Sequence, residues 1–220
     1  MRKKVFFFLL FACLATTLTA EETTPTEKPG QKVFQGFSGG MMVHTGYLFG
    51  IDKDAPKDEN GRSYSPQGAT FGIGGCARVH LFKHLRTGVE GFVSTMPSTV
   101  TDRHDVLRSG SYVRMGYGGV LADACWRLEK IWPYVGATIG GGVMRSLYLL
   151  DGDERTWDKH ENSYVHKQSF FYVTPYAGID YCLTTNVHLT FRVDWMLAVR
   201  HNDLLFPTGP RVYIGFMFCH

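Results

Sequence analysis

The sequence predicts an all-β fold in which eight antiparallel strands run up and down and close into a barrel. Three observations carry this prediction. Apolar and polar residues alternate with a period of two along each proposed strand. Short turns alternate with longer polar segments between the strands. After the first 20 residues, no segment shows the apolar periodicity of a helix.

The N-terminus has the pattern of a secretory signal peptide. A basic start at residues 2–4 precedes an apolar run over residues 5–14, and a small residue, Ala20, precedes the acidic Glu21. The apolar run is too short to cross a bilayer as a helix. We therefore expect cleavage after Ala20, which makes residues 1–20 the signal peptide.

Removal of this leader changes the net charge. The full chain has Lys+Arg 23 and Asp+Glu 20, and the leader holds three basic residues and no acid, so the mature chain has 20 of each sign. Nucleic-acid binding therefore has no support from composition. One of the five cysteines leaves with the leader, and the other four enter an oxidising compartment.

The first barrel elements follow a flexible tether. Residues 21–32 are rich in Thr, Pro and Glu without apolar periodicity, so the barrel domain is expected over residues 33–220. Strand 1 is predicted over Phe34–Phe49, and strand 2 over Thr70–Phe82. A long polar loop, Ile51–Gln67, separates them.

The middle of the chain repeats this layout. A tight turn at Lys83–Leu85 leads into strand 3 over Arg86–Thr95. After the polar segment Pro97–Arg108, strand 4 runs to about Leu128. Glu129–Trp132 is a short turn, and strand 5 follows it with the same alternation.

The last three strands begin with the clearest hairpin. The longest charged loop, Leu150–His166, precedes strand 6 over Tyr172–Leu183 and strand 7 over Val187–Trp195. Arg200–Thr208 is predicted to be a loop, and Pro210–Phe218 is predicted to be strand 8. A short polar link between strands 6 and 7 predicts a hairpin.

The register of that hairpin suggests one ion pair. If the polar faces of both strands point inward, a three-residue loop at residues 185–187 places Asp180 directly opposite Arg192. Directly opposed residues have Cβ atoms about 4.5–5.5 Å apart, within reach of a bidentate ion pair.

The order of connections favours a membrane barrel over a soluble one. Long and short connections alternate, and both ends of the chain fall on the short side. Each apolar face covers about 9–11 residues, the length that a tilted strand needs to cross a bilayer. Unpaired strand edges would be costly in lipid, so the sheet must close. We predict an eight-stranded transmembrane barrel with short periplasmic turns and long extracellular loops.

Three segments carry a resemblance to a known family. They are the glycine-rich Tyr134–Gly142, the segment Pro175–Tyr181 and a last strand that is rich in aromatic residues up to Phe218. Over Phe34–Phe218 the chain resembles the small outer-membrane β-barrel proteins of Gram-negative bacteria, of the OmpA/OmpX-like type. The chain departs from that pattern at its end, where Cys219 and His220 follow the terminal aromatic residue.

The resemblance implies a location and a set of partners. It implies export through a cleaved signal peptide and residence in the outer membrane. The partners implied are outer-membrane lipid and lipopolysaccharide, the barrel-insertion machinery that reads the last strand, and an extracellular or host ligand at the outer loops.

The inward-facing positions collect charges of both signs, which balance. We predict a lumen charge network of Arg78, Arg86, Glu90, Asp123, Arg127, Asp180, Arg192 and Asp194. One interpretation is a proton or ion path, and the other is a salt-bridged plug. An eight-stranded barrel has an interior only wide enough for its own side chains, which favours the plug.

The four remaining cysteines also take inward positions. They are Cys76, Cys125, Cys182 and Cys219. A metal site or a cross-lumen disulfide has no support from Cys-x-x-Cys spacing, so we interpret them as small packing residues. The sequence indicates no cofactor.

Three loop clusters combine His with acids. They are His160, Glu161 and His166 beside Asp151, Asp153 and Glu154; His104 with Asp102 and Asp105; and His201 with Asp203. Binding of a divalent ion or a lipopolysaccharide head group is one interpretation. A solvated charged loop is the interpretation that we favour.

The sequence therefore favours a structural or surface-interaction role over catalysis. Some barrels of the resembled family are lipid A deacylases or acyltransferases that use a His with a Ser and an acid. Ser163 with His160 or His166 and Glu161 is the one crowded candidate. Neighbours on one loop rarely orient a base as nucleophilic catalysis requires. A soluble periplasmic lipid-binding barrel is a further alternative.

Overall fold

A computed structural model describes five stretches of the chain. They are residues 33–49, 68–96, 110–149, 163–200 and 203–220. The predicted signal peptide and tether lie outside the described residues, as do the polar segment 51–67 and residues 97–108. Within the described stretches there is no helix long and apolar enough to cross a membrane.

Eight strands form one closed sheet, as the alternation predicts. Their bounds are β1 Phe34–Leu48, β2 Gly68–Leu81, β3 Leu85–Met96, β4 Tyr112–Cys125, β5 Ile131–Leu149, β6 Ser163–Cys182, β7 Val187–Arg200 and β8 Asp203–Cys219. Each strand pairs antiparallel with its neighbour in sequence, and β1 pairs with β8. The prediction of an eight-stranded antiparallel up-and-down barrel is confirmed.

The period-two alternation sorts side chains to the two sides of the wall. On β7, Arg192 is 0% exposed whereas its neighbour Val193 is 43% exposed. The same inversion recurs around the barrel, where apolar side chains cover the outer face and charged side chains are buried inside. A soluble fold buries its apolar face, so this arrangement is typical of a wall that faces lipid.

The strands are staggered around the barrel. A path that leads from each residue to its direct cross-strand partner starts at Gly36 on β1 and goes once around the barrel. It returns to β1 at Gly46, ten residues further along that strand (46 − 36 = 10). Its members are Gly36, His80, Arg86, Asp123, Gly136, Tyr176, Asp194, Arg211 and Gly46. Such a stagger requires strands tilted about 40° from the barrel axis. The row also carries Arg86, Asp123, Asp194 and Arg211, four charged side chains buried inside the barrel, which places these four on one spiral.

The outer face has the height of a membrane-spanning belt. Its aromatic residues on β1 are Phe34 and Phe37 near the short turns and Tyr47 near the opposite end. Phe37 and Tyr47 are ten positions apart, and about 3.3 Å per residue at a tilt of about 40° gives roughly 25 Å. That height is about the height of the apolar band of an outer-membrane barrel.

Strands β5 and β6 are longer than predicted. The loop predicted over Leu150–His166 is wrong at its C-terminal end, because β6 begins at Ser163 and Leu149 pairs with Ser163. Residues 150–162 lie outside the described residues. The added part of β6 is SYVHKQSFF, in which polar residues occupy both faces. It therefore lacks the apolar alternation from which the other strands were predicted.

The predicted loop over Arg200–Thr208 is also wrong. Strand β7 reaches Arg200, and β8 begins at Asp203, its direct partner. A register shift between Met196 and Ala198 interrupts the ladder between these strands. Such a bulge changes the side-chain parity along the strand, so a strict period of two does not reveal the strand.

Cys219 and His220 take part in the pairing of β1 with β8 that closes the barrel. His220 exchanges backbone hydrogen bonds of 2.9 Å with Phe37, and the two rings stack at 5.1 Å. Cys219 belongs to β8 and pairs with Ser38. The residues that follow the aromatic Phe218 therefore continue the ladder that closes the barrel.

Candidate functional site: the charged lumen

Among the side chains that the structure describes, eight charged ones lie inside the barrel, four of each sign. They are Arg78, Arg86, Arg192, Arg211, Glu90, Asp123, Asp180 and Asp194, and each is at most 7% exposed. They come from β2, β3, β4, β6, β7 and β8. They form two groups, a mid-barrel cluster (Glu90, Arg192, Asp194, Arg211) and a turn-end cluster (Arg78, Arg86, Asp123, Asp180) nearer the short turns.

In the mid-barrel cluster both arginines donate to carboxylates. Arg192 donates from Nη1 to Glu90 Oε2 at 2.5 Å and from Nη2 to Asp194 Oδ2 at 3.0 Å. Arg211 donates from Nε to Asp194 Oδ1 at 2.8 Å and from Nη2 to Asp194 Oδ2 at 3.0 Å. The second pair is bidentate, which adds both strength and orientation. Asp194 therefore links the two guanidinium groups.

Tyrosine rings hold these guanidinium groups from the sides. The Arg192 Cζ atom lies 4.0 Å from the ring centroid of Tyr176 and 5.0 Å from that of Tyr213. The Arg211 Cζ atom lies 4.9 Å from the ring of Tyr117. Cation–π attraction is strongest where water is excluded, as it is here.

The turn-end cluster is organised by Arg86. It donates from Nε to Asp123 Oδ1 at 2.5 Å and from Nη1 to Asp180 Oδ2 at 2.7 Å. Its Cζ atom lies 4.5 Å from the ring of Tyr134. The hydroxyl group of Tyr176 donates to Asp123 Oδ2 at 3.0 Å. Tyr176 therefore contacts both clusters, since Arg192 stacks on its ring.

Arg78 is bound differently from the other three arginines. Its Nε lies 3.8 Å from Asp123 Oδ2, and its Nη1 lies 3.8 Å from Asp180 Oδ2, beyond hydrogen-bond distance. All three of its guanidinium nitrogens are buried without a hydrogen-bond partner. The attraction that holds Arg78 is therefore Coulombic, from the two carboxylates and the ring of Tyr134 at 5.0 Å.

The predicted pair of Asp180 with Arg192 is wrong. In the observed register Asp180 lies opposite Thr190, and Gly178 lies opposite Arg192. Residues 183–186 connect the two strands, so the register is shifted by two positions from the predicted one. The two side chains contact partners across the lumen, because a narrow interior brings distant strands within reach.

Arg127 lies outside the network in which the inward parity placed it. It follows the end of β4, is exposed, and has its Nη2 atom 2.9 Å from His80 Nδ1. Its Cζ atom lies 5.0 Å from the ring of Trp132. Past the last ladder pair the alternation no longer fixes the direction of a side chain.

Arg211 was missed by the sequence interpretation, although a signal for it was present. Val212 faces outward on β8, so the residue before it must face the lumen. Arg211 lies beside Pro210, at the predicted start of the strand, where the alternation has only begun. With Arg211 in place of Arg127, the charges of the two signs still balance.

Beyond the mid-barrel cluster lies an aromatic layer. The ring of His44 is 4.9 Å from that of Tyr213 and 5.7 Å from that of Phe92, and its Nε2 lies 3.3 Å from the hydroxyl of Tyr117. A Cβ at Gly72 would come within 2.1 Å of His44 Nε2. The absent side chain at Gly72 is therefore what leaves room for His44.

The four cysteines are free and spread out. Cys76 and Cys125 are buried, and Cys182 and Cys219 are partly buried. The Cys76 thiol lies 3.9 Å from the sulfur of Met217, and the Cys219 thiol lies 3.4 Å from His188 Nδ1. Among the described residues, no three metal-ligating side chains come together.

The loop candidates fall mostly outside the described residues. These are His104 with Asp102 and Asp105, His160 with Glu161, the acids Asp151, Asp153 and Glu154, and His201. Ser163 is the first residue of β6, and His166 pairs with Ser146 along the strand. The proposed catalytic group of Ser163, histidine and Glu161 stays a prediction.

The fold resembles that of small outer-membrane barrels of known structure. Neisserial surface protein A aligns over 83% of this chain and 96% of its own, with 14% identity and a TM-score of 0.52. The outer membrane protein OprG from Pseudomonas aeruginosa aligns over 87% of this chain and 98% of its own, with 15% identity and a TM-score of 0.55. No family model and no curated protein match the sequence. At these identities the likeness concerns the fold.

Proposed function

We propose that the protein is an outer-membrane barrel with a plugged lumen and a structural or surface-interaction role. An exposed apolar belt of roughly 25 Å supports insertion in a membrane. The fold shared with OprG and Neisserial surface protein A supports the outer membrane as that membrane. Residues 1–20 act as the export signal in this proposal, and residues 21–32 are a tether. The segments 50–67, 97–109 and 150–162 form the outer connections and carry contact with an extracellular partner.

The observation that carries the plug is the balanced charge network. Four arginines and four carboxylates are buried across the lumen, and tyrosine rings occupy the space between them. An ion that crossed the barrel would have to displace charge-assisted hydrogen bonds such as those of Arg192 and Arg211. Separating these buried groups without water to replace their partners leaves uncompensated charge, so the network opposes opening of the lumen.

Planar bilayer recordings test the plug directly. The mature protein, refolded and inserted, should show no steady conductance above the background of the bilayer. Insertion is checked in the same preparation by the compact gel mobility of the unheated barrel. A steady large conductance from the wild-type protein would contradict the plug and support an ion path.

Cell fractionation tests the location. We expect the protein in the outer-membrane fraction, with a mature N-terminus at Glu21 found by Edman sequencing. Recovery in the soluble periplasmic fraction would instead support a soluble lipid-binding barrel.

Mass analysis of lipid A from cells with and without the gene tests the enzymatic alternative, because a deacylase or acyltransferase would change the mass of lipid A.

A further inference from the structure

The outer face of the barrel wall carries charge in one place. Along β1 to β8, outward-facing side chains that the structure describes are uncharged except at three positions. These are Arg114 on β4, Arg145 on β5 and Lys167 on β6, which together form a basic row, and all three are exposed.

The three residues are direct cross-strand partners. Arg114 pairs with Arg145, and Arg145 pairs with Lys167. Opposed side chains have Cβ atoms about 4.5–5.5 Å apart, and like charges so placed destabilise a sheet. The neighbouring outward positions on β3 to β6 hold no acid; they are Thr95, Tyr112, Gly116, Val143, Leu147, Val165 and Ser169. Among the described side chains of this part of the wall, none offsets the repulsion.

The basic row lies at the level of lipid head groups. Lys167 is fourteen positions from Tyr181 on β6, and Arg114 is twelve positions from Trp126 (181 − 167 = 14, 126 − 114 = 12). Both aromatic residues lie near the turn end of the barrel. At about 3.3 Å per residue and a tilt of about 40°, the row is roughly 30–35 Å above them. The hydrocarbon core is about 30 Å thick, so the row reaches the head groups of the leaflet on the side opposite the short turns.

The wall beneath the row is smooth. Gly116 lies two positions below Arg114, and a Cβ placed there would meet nothing within 4 Å. A Cβ at Gly141, further down β5, would make only an ordinary van der Waals contact, 3.6 Å from the backbone oxygen of Phe170. Val143 lies opposite Gly116 and is exposed. An acyl chain can therefore lie against the wall directly below the cations.

We propose that the basic row binds the phosphate groups of a phosphorylated glycolipid of the outer leaflet. Guanidinium groups bind phosphate in a planar, bidentate manner, and Lys167 adds a point charge. Tyr112 supports the first guanidinium, since the Arg114 Cζ atom lies 4.9 Å from its ring centroid. A bound phosphate between the strands removes the like-charge repulsion. The inference rests on the proposed outer-membrane location and is independent of the plugged lumen.

Binding of defined lipids to the refolded mature chain in micelles tests the site. Two double variants each remove two cations, Arg145→Gln with Lys167→Gln in the basic row, and Lys83→Gln with Lys130→Gln on the exposed turns. We expect the row variant to weaken the Kd for diphosphoryl lipid A about tenfold or more, and the turn variant to change it less than about twofold. Monophosphoryl lipid A should bind the wild type more weakly than diphosphoryl lipid A does, and its Kd should differ less between the two double variants.

Two outcomes overturn the proposal. Equal affinity of the wild type and the row variant for diphosphoryl lipid A removes the basic row from binding. If inorganic pyrophosphate displaces diphosphoryl lipid A at the concentration at which lipid A binds, the basic row is a site for free phosphate and not for a lipid.

Heat resistance separates lost binding from lost folding. Without lipid, the row variant should resist heating at least as well as the wild type, because it lacks the like-charge pair. The bilayer recordings are a separate test, so failure of the plug and failure of this site are distinguishable.

Discussion

The two charge clusters in the lumen have the same numbers of arginines and carboxylates, but their arginines differ in how they hydrogen-bond to those carboxylates. Each contains two arginines and two carboxylates, and all eight groups are buried. In the mid-barrel cluster both Arg192 and Arg211 donate directly to carboxylates. In the turn-end cluster Arg86 binds both carboxylates, and Arg78 lies 3.8 Å from the same two groups without a hydrogen bond.

This difference shows that charge balance alone does not describe a buried network. Burial of a charge is costly, and a paired charge recovers that cost through short, oriented hydrogen bonds. Arg192 has such bonds, whereas the nitrogens of Arg78 have none in the structure. We therefore expect the contribution to stability to differ between two arginines that are equally buried.

The largest effect is expected at Arg192. Arg192→Ala should lower the free energy of unfolding by about 3–5 kcal/mol, because Glu90 loses the guanidinium that binds it and becomes a stranded buried charge. Urea-induced unfolding of the barrel in lipid vesicles, followed by tryptophan fluorescence, measures this change. Lys83→Ala on an exposed turn is the control and should change stability by less than about 0.5 kcal/mol.

A second variant assigns the cause of that loss. If the stranded carboxylate is responsible, adding Glu90→Gln to Arg192→Ala should recover about 1 kcal/mol or more, since it removes the unpaired charge. A double variant no more stable than Arg192→Ala would attribute the loss to packing. An Arg192→Ala barrel as stable as the parent would contradict the whole account of the mid-barrel cluster.

A smaller effect is expected at the link between the clusters. Tyr176→Phe removes the hydroxyl that donates to Asp123 and keeps the ring on which Arg192 stacks. A hydrogen bond to a charged group contributes about 1.5–3 kcal/mol, so the loss should fall in that range. The matched control is Tyr181→Phe on the outer face, which should be nearly neutral. Equal losses from the two substitutions would show that the bond to Asp123 contributes nothing specific.

The architecture was predictable from sequence because the wall has two unlike sides. On β2, for example, Ile73, Ala77 and Val79 alternate with Cys76, Arg78 and His80, and the structure places the two sets on opposite faces. The alternation fails where polar residues occupy both faces or where the register shifts. For these two reasons the predicted loops wrongly include residues 163–166 of β6 and the first residues of β8.

The partners inside the lumen were not predictable, because parity gives direction and not distance. The pattern selects Asp180 and Arg192 as inward residues, and both do face inward. Their partners depend on which strands face each other across a staggered barrel, and local sequence does not encode that stagger. Arg86, which binds Asp180, is 94 residues away in the chain.

The smallest of the three effects is expected at Arg78, and it sharpens the contrast between the clusters. Arg78→Met replaces a guanidinium without hydrogen bonds by an apolar chain of similar length, and Arg86 keeps its bonds to both carboxylates. Replacing a whole buried ion pair by packed apolar groups is often nearly neutral, whereas removing one partner is costly. Here one carboxylate is left in excess but keeps its bond to Arg86, so we expect a loss of about 1–2 kcal/mol, smaller than that from Arg192→Ala. Adding Asp180→Asn should remove most of this loss. A loss at Arg78 equal to that at Arg192, in the same urea titration, would show that Coulombic attraction at 3.8 Å stabilises the barrel as much as direct hydrogen bonds do.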